Sequence, residues 1–131
     1  MQTVRSGFEL RAAADPESVP LVRHALRVYL ERFDLSDDRI AEITLAVTEA
    51  CSNVVVHAYR DDCVGDLEVI VEDEPGDGVI VRVRDRGTGL EPRADSPGLG
   101  VGLPVIHAIA DSVEVHTVDD GHGTELRMHF R

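Results

Sequence analysis

Two alternating segments, DLEVIVED at 66–73 and GVIVRVRD at 78–85, flank the turn signal EPGDG at 74–78. Period-two alternation on both sides of a Gly/Pro/Asp cluster predicts neighbouring antiparallel strands. In the second segment Val79, Val81 and Val83 share one face, and Arg82 and Arg84 take the other. A sheet that is apolar on one side only must bury that side under a second layer. That requirement governs how the rest of the chain is read.

The cover is available in sequence. Ser36 is a helix N-cap, followed by Asp37 and Asp38 in the first turn, where negative charge suits the helix dipole. The helix it opens runs to about Tyr59 and is mostly apolar, so it should lie against the sheet. Asp15 followed by Pro16 predicts an earlier helix start, with Leu21, Ala25, Val28 and Tyr29 forming its apolar face. TVRSGFELRAA, ahead of it, reads as a first strand at a sheet edge. LPVIHAIAD predicts a third helix, with Pro104 tolerated in its first turn. SVEVHTVDD and GTELRMHFR then close the chain as a hairpin about DGHG. The expected architecture is one α+β domain over 1–131: a two-layer sandwich of a mainly antiparallel sheet with helices on one face.

Composition narrows the function classes. The chain has 131 residues, 43% of them hydrophobic and 29% charged, which suits a soluble domain with one core. No apolar run reaches a membrane span of roughly 20 residues. MQTVRSGFELRAAADP has no signal-peptide core, so a cytoplasmic location is expected. A net charge of -12 argues against direct nucleic-acid binding, which depends on cationic side chains facing phosphates. It does not argue against a nucleotide, because backbone N–H groups and a metal ion offset phosphate charge locally. Cys51 and Cys63 have no metal spacing, and the histidines form no paired ligand motif. There is no G-x-x-x-x-G-K-[ST], and GLGVGL fails the dinucleotide fingerprint at its last position.

What remains is a polar stripe and a set of glycines. Glu49, Asn53 and His57 recur every four residues in the otherwise apolar EACSNVVVHA, which on an α-helix stacks them along one face. Such a stripe is costly unless its members find partners. An Asn carboxamide oxygen is a hard ligand of the kind Mg²⁺ accepts beside phosphates and waters. A Glu one turn away could take a proton from an attacking hydroxyl or orient a water. Equally, Glu49 and Asn53 could be a partly solvated helix face, and His57 could simply satisfy the helix C-terminus. Glycines cluster at Asp85-Arg86-Gly87-Thr88-Gly89, at Gly98-Leu99-Gly100-Val101-Gly102 before the third helix, and at Gly123-Thr124. Glycine lets a ligand approach main-chain N–H groups closely, although any one pair also reads as an ordinary turn. Asp85, at the end of its strand, is an acceptor-only carboxylate that an adenine amino group would suit, or a turn residue bonding its own loop.

Taken together, these motifs resemble the GHKL ATPase family, which shares the Bergerat ATP-binding fold. E-x-x-x-N-x-x-x-H-A at 49–58 is similar to its N box, and DRGTG at 85–89 to its first glycine box. GLGVGL at 98–103 is similar to the second, and Gly123-Thr124 to the final Gly-Thr element. Within the family, TEACSNVVVHAYR most resembles the anti-sigma-factor serine/threonine kinases of bacteria. The resemblance implies ATP and Mg²⁺, with Glu49 as general base, Asn53 as Mg²⁺ ligand, Asp85 as adenine reader and Thr124 beside the base. It places Gly87 and Gly89 by the adenine, and Gly98, Gly100, Val101, Gly102 and Leu103 at the nucleotide through the second glycine box. LEPRADSPG would be the lid, with Arg86 or Arg93 as phosphate contacts. The implied partners are a sigma factor and a small anti-sigma-factor antagonist, and self-association is implied by the likeness alone. A short lid and Gly102, where these kinases often carry a bulkier residue, are departures that bear on turnover more than on binding. The alternative from another class is a nucleotide-gated protein-binding module without chemistry. A sensor histidine kinase fits less well, because no dimerising hairpin with an acceptor His is present.

Overall fold

The computed structural model describes residues 7–58, 65–73, 78–86, 103–118 and 123–131. Five strands form one sheet: β1 (Phe8–Ala13), β2 (Asp66–Asp73), β3 (Val79–Asp85), β4 (Ser112–Val118) and β5 (Gly123–Phe130). Their order is β1-β2-β3-β5-β4, and every pairing is antiparallel. The first strand lies at an edge, as its sequence suggests. Among the described residues, three α-helices cover the sheet: α1 (Ser18–Leu30), α2 (Asp37–Asn53) and α3 (Leu103–Ile109). The two-layer α+β sandwich is thus the observed fold.

Register explains how the layers meet. Val69 lies opposite Val83 and Val71 opposite Val81, while Val83 and Val81 lie opposite Leu126 and Met128 on the other side. These residues share a face, and that face packs on Val22, Leu26 and Leu30 of α1, Ile43, Ala46 and Val47 of α2, and Ile106 of α3. The opposite face carries paired charges. Arg84 bonds the buried Glu125, Arg127 reaches the same carboxylate at 2.7 Å, Arg82 meets Glu72 at 2.9 Å and Arg11 meets Glu68 at 3.2 Å. Burial alone would push the Glu125 carboxyl up, but hydrogen bonds from Arg84 and Arg127 outweigh it and hold the group below the usual range.

The helix signals hold with two corrections. Ser36 Oγ accepts from the Arg39 N–H at 3.1 Å, the expected N-cap bond. Asp15 Oδ1 accepts from Ser18 N–H at 2.9 Å, but regular helix begins only at Ser18 because Pro16 and Glu17 form a turn. The buried face of α1 is Val22, Leu26, Tyr29 and Leu30, while Leu21 and Val28 are 68% and 52% exposed. Two overlapping apolar stripes exist on this helix. Packing selects the one that puts Val22, Leu26 and Leu30 into the core, while Tyr29, common to both, sits by Phe8 and Phe33 with ring centroids 4.9 and 5.5 Å away. The second correction is at the end of α2, which passes into a π-helical turn, Val54–Ala58.

Candidate functional site

α2 delivers two of the polar stripe's members. Glu49 and Asn53 stand one α-helical turn apart near its C-terminus, both half-buried among the closed core positions Val47, Ala50 and Cys51. No hydrogen bond or ion pair to another described residue fixes either side chain. Directly after Asn53 the helix widens into the π turn, so His57 no longer follows the α repeat that would stack it on Asn53. The His57 side chain lies outside the described residues. Such π turns recur at functional sites because the widened backbone re-aims the groups beside it.

β3 and β5 deliver the second half. Asp85 follows Val79, Val81 and Val83 in alternation, so it faces the helices rather than the charged side, and it is 1% exposed. Its partner across the ladder is Thr124, also buried. Gly123, which precedes Thr124, is tight for a steric reason: a Cβ there would lie 2.4 Å from the Asp85 carbonyl oxygen and 2.8 Å from Val118 Cγ2. The Gly-Thr pair therefore lets β5 pass close against the end of β3 at Asp85. Arg86 turns the other way, with Nη2 3.4 Å from Glu68 on the charged face.

The direction of α2 relative to the sheet follows from Arg39. At the N-terminal end of α2, its guanidinium donates to the carbonyl oxygens of Arg131 at 3.1 Å and Ile109 at 3.2 Å. Arg131 follows β5, and Phe130 pairs with Val79 at the start of β3. Asp85 and Thr124 thus lie at the end of their ladder away from the Val79–Phe130 pair, and Glu49 and Asn53 at the end of α2 away from Arg39. Leu103 opens α3, while its side chain and the predicted Gly87, Gly89, Gly98, Gly100, Val101, Gly102 and Arg93 lie outside the described residues. A cavity of about 320 Å³ flanks the end of α2, lined by Pro16, Val19 and Pro20 at the start of α1 and by Ser52, Val55 and Val56. Its lining is apolar and does not include the predicted residues.

The described groups have restricted chemistry. No cluster of three or more His, Cys, Asp or Glu that could hold a metal is found among the described residues. A carboxamide with one adjacent carboxylate fits Mg²⁺, which is commonly held by one or two protein oxygens with phosphates and waters. Cys51, beneath the stripe, is fully buried, and burial pushes its thiol up to about 12, so it is a neutral packing group. No helix among the described residues is long and apolar enough to cross a membrane.

An all-antiparallel sheet under helices, with a helix Asn, a buried strand-end Asp and a Gly-Thr pair, defines the class of Bergerat-type ATP-binding domains. More narrowly, the chain belongs to the histidine kinase-like ATPase domain family, whose model matches residues 12–130. It is 31% identical to the serine-protein kinase RsbW of Bacillus licheniformis over 92% of this chain and 84% of that protein. Identity to RsbW of Bacillus subtilis strain 168 is 32%, over 82% and 76%. The anti-sigma F factor of Anoxybacillus flavithermus is 26% identical over 97% and 94%. Among solved structures, the RsbU and RsbW domains of Rv1364c from Mycobacterium tuberculosis share the fold, with a TM-score of 0.73 at 22% identity. That match covers 95% of this chain and 32% of the longer one.

Proposed function

We propose that the protein is an ATP-binding switch protein with serine/threonine kinase activity, which phosphorylates a small antagonist protein and restrains a sigma factor. The activity is supported by the relatives named serine-protein kinase, at about 30% identity over most of the chain. The sigma-factor role is supported by the relative named an anti-sigma factor. The whole 131-residue chain is read as one ATPase domain working in the cytoplasm. The single observation that carries the reading is the buried ladder pair of Asp85 and Thr124 at the end of β3, with Glu49 and Asn53 supporting it from the end of α2 away from Arg39.

Roles follow from chemistry. Asp85, buried and acceptor-only when ionised, receives the exocyclic amino group of adenine, with Thr124 opposite it in the ladder. Asn53 offers its carboxamide oxygen to Mg²⁺, which when bound neutralises charge on the phosphates. Glu49, one turn earlier, takes the proton from the attacking serine or threonine hydroxyl as its oxygen bonds to the γ-phosphorus and the bond from that phosphorus to the β–γ bridging oxygen breaks, releasing ADP. Family likeness implies Gly87 and Gly89 beside the base, Gly100 and Gly102 near the phosphates, and Gly98, Val101 and Leu103 as further nucleotide-binding residues. Positioning and charge neutralisation are most of what phosphoryl transfer requires, so this small set suffices.

The test is transfer of label from γ-labelled ATP to candidate antagonist proteins in Mg²⁺. Glu49→Ala should still bind ATP while transfer falls by about 10²-fold or more, the usual contribution of a general base. Transfer at the wild-type rate in that variant removes Glu49 from its role. ATP binding by the wild type with no transfer to any antagonist identifies a nucleotide-gated binding module instead.

A further inference from the structure

Arg39 makes contacts that no helix-surface arginine needs. Its Nε donates to the Arg131 carbonyl oxygen at 3.1 Å, Nη1 to the Ile109 carbonyl oxygen at 3.2 Å, and Nη2 to Asp111 Oδ2 at 3.1 Å. The guanidinium also lies over the Phe130 ring, 5.7 Å from its centroid. The same Asp111 oxygen accepts from the Arg131 N–H at 2.7 Å, closing the group. The side chain is only 21% exposed. Two segments distant from Arg39 in sequence thus meet one planar fork: the stretch from the C-terminus of α3 to the bend into β4, and the end of β5. A lysine could not reproduce this, because its single ammonium has no fork geometry.

Each element that meets Arg39 carries candidate site residues at its other end. α2 runs from Arg39 to Glu49 and Asn53, roughly 15–21 Å away at 1.5 Å per residue. β5 runs back from Arg131 to Thr124, roughly 23 Å at 3.3 Å per residue. α3 runs back from Ile109 to Leu103, next to the second glycine element. α2 and α3 are rigid rods, so fixing their far ends restricts how their near ends can shift or splay.

We infer that Arg39 is a positioning residue for the nucleotide site: by fastening the far ends of α2, α3 and β5 it sets the relative placement of their site-bearing ends. The inference rests on the reading of that site as an ATP site. It predicts that loss of the fork weakens nucleotide binding in protein that is still fully folded.

The experiment is calorimetric titration with Mg-ATP of the wild type, Arg39→Ala, Arg39→Lys and a control, Leu26→Ala. The control truncates a buried α1 residue away from the fork. All are measured well below their melting temperatures, with folding checked by near-UV circular dichroism. Arg39→Ala should raise Kd about fivefold or more, a typical coupling between separated sites. Arg39→Lys should fall between it and the wild type, and Leu26→Ala should stay within about twofold. An unchanged Kd in folded Arg39→Ala, or an equal loss in Leu26→Ala, overturns the role of Arg39. If Arg39→Ala does not fold, Arg39→Lys decides by the same criterion, a wild-type Kd counting against the role. A wild type that binds no nucleotide overturns the ATP reading itself, a distinct outcome.

Discussion

Gly123→Ala puts one methyl group where β5 passes the end of β3. The added Cβ would meet the Asp85 carbonyl oxygen at 2.4 Å and Arg86 Cα at 3.2 Å, both backbone atoms that cannot rotate away. Val118 Cγ2, at 2.8 Å, can change rotamer; the carbonyl cannot. The first turn of β5 must therefore move off β3 by several tenths of an ångström, beside the Asp85–Thr124 pair. Overpacking of this kind costs about 1–3 kcal/mol. The lower entropy of an unfolded alanine chain offsets about 0.4–1 kcal/mol of that. The net loss of about 1–2 kcal/mol corresponds to a fall in Tm of about 4–8 °C at this chain length. Urea unfolding at unchanged m-value, paired with an Mg-ATP titration, measures both consequences. Stability should fall, and ATP affinity should fall further than stability alone explains, because the displaced pair belongs to the adenine end. Stability within about 0.5 kcal/mol of wild type, with unchanged affinity, refutes the close-approach account of the Gly-Thr pair.

Two further outcomes follow from the ionisable groups. Glu125 is held below the usual carboxylate range because its arginine bonds outweigh burial, so its contribution to stability is fully present above an unfolded pKa of about 4.3. That contribution is lost as pH falls through the lower folded value; unfolding curves between neutral and strongly acid pH should show it, and Glu125→Gln should remove that part of the slope at a cost of about 2 kcal/mol at neutral pH. Cys51, with its thiol raised to about 12 by burial, should react with a thiol reagent only as the protein unfolds, so mass-resolved labelling at that residue should track the urea transition.

Much of this fold is local enough to read from the chain. The hairpin of β2 and β3 is written in alternation and turn residues, and the start of α2 in Ser36 and the acidic residues after it. The chosen face of α1 is not, because two apolar stripes satisfy the same period and only packing into the core decides for Val22, Leu26 and Leu30. The π turn after Asn53 carries no periodic signal, since its residues are as apolar as those before it. Nor does Arg39 announce itself, because its acceptors are carbonyls at 109 and 131, which look like any other backbone groups in sequence. For the site, motif spacing singles out Asn53, Asp85 and Thr124, and the fold adds that Asp85 and Thr124 are buried ladder partners. The glycines at 87, 89, 98, 100 and 102 lie outside the described residues, so their role still rests on likeness to the family.

The most direct measurement is thermal unfolding with and without Mg-ATP on the wild type and Asp85→Asn. At a hundredfold excess over Kd the wild type should gain about 2.7 kcal/mol, while Asp85→Asn, with a carboxamide in place of the carboxyl that receives the adenine amino group, should gain little at the same concentration. A wild type indifferent to saturating Mg-ATP, or an Asp85→Asn variant that keeps the full gain, would contradict the assignment of the Asp85–Thr124 pair to a purine nucleotide.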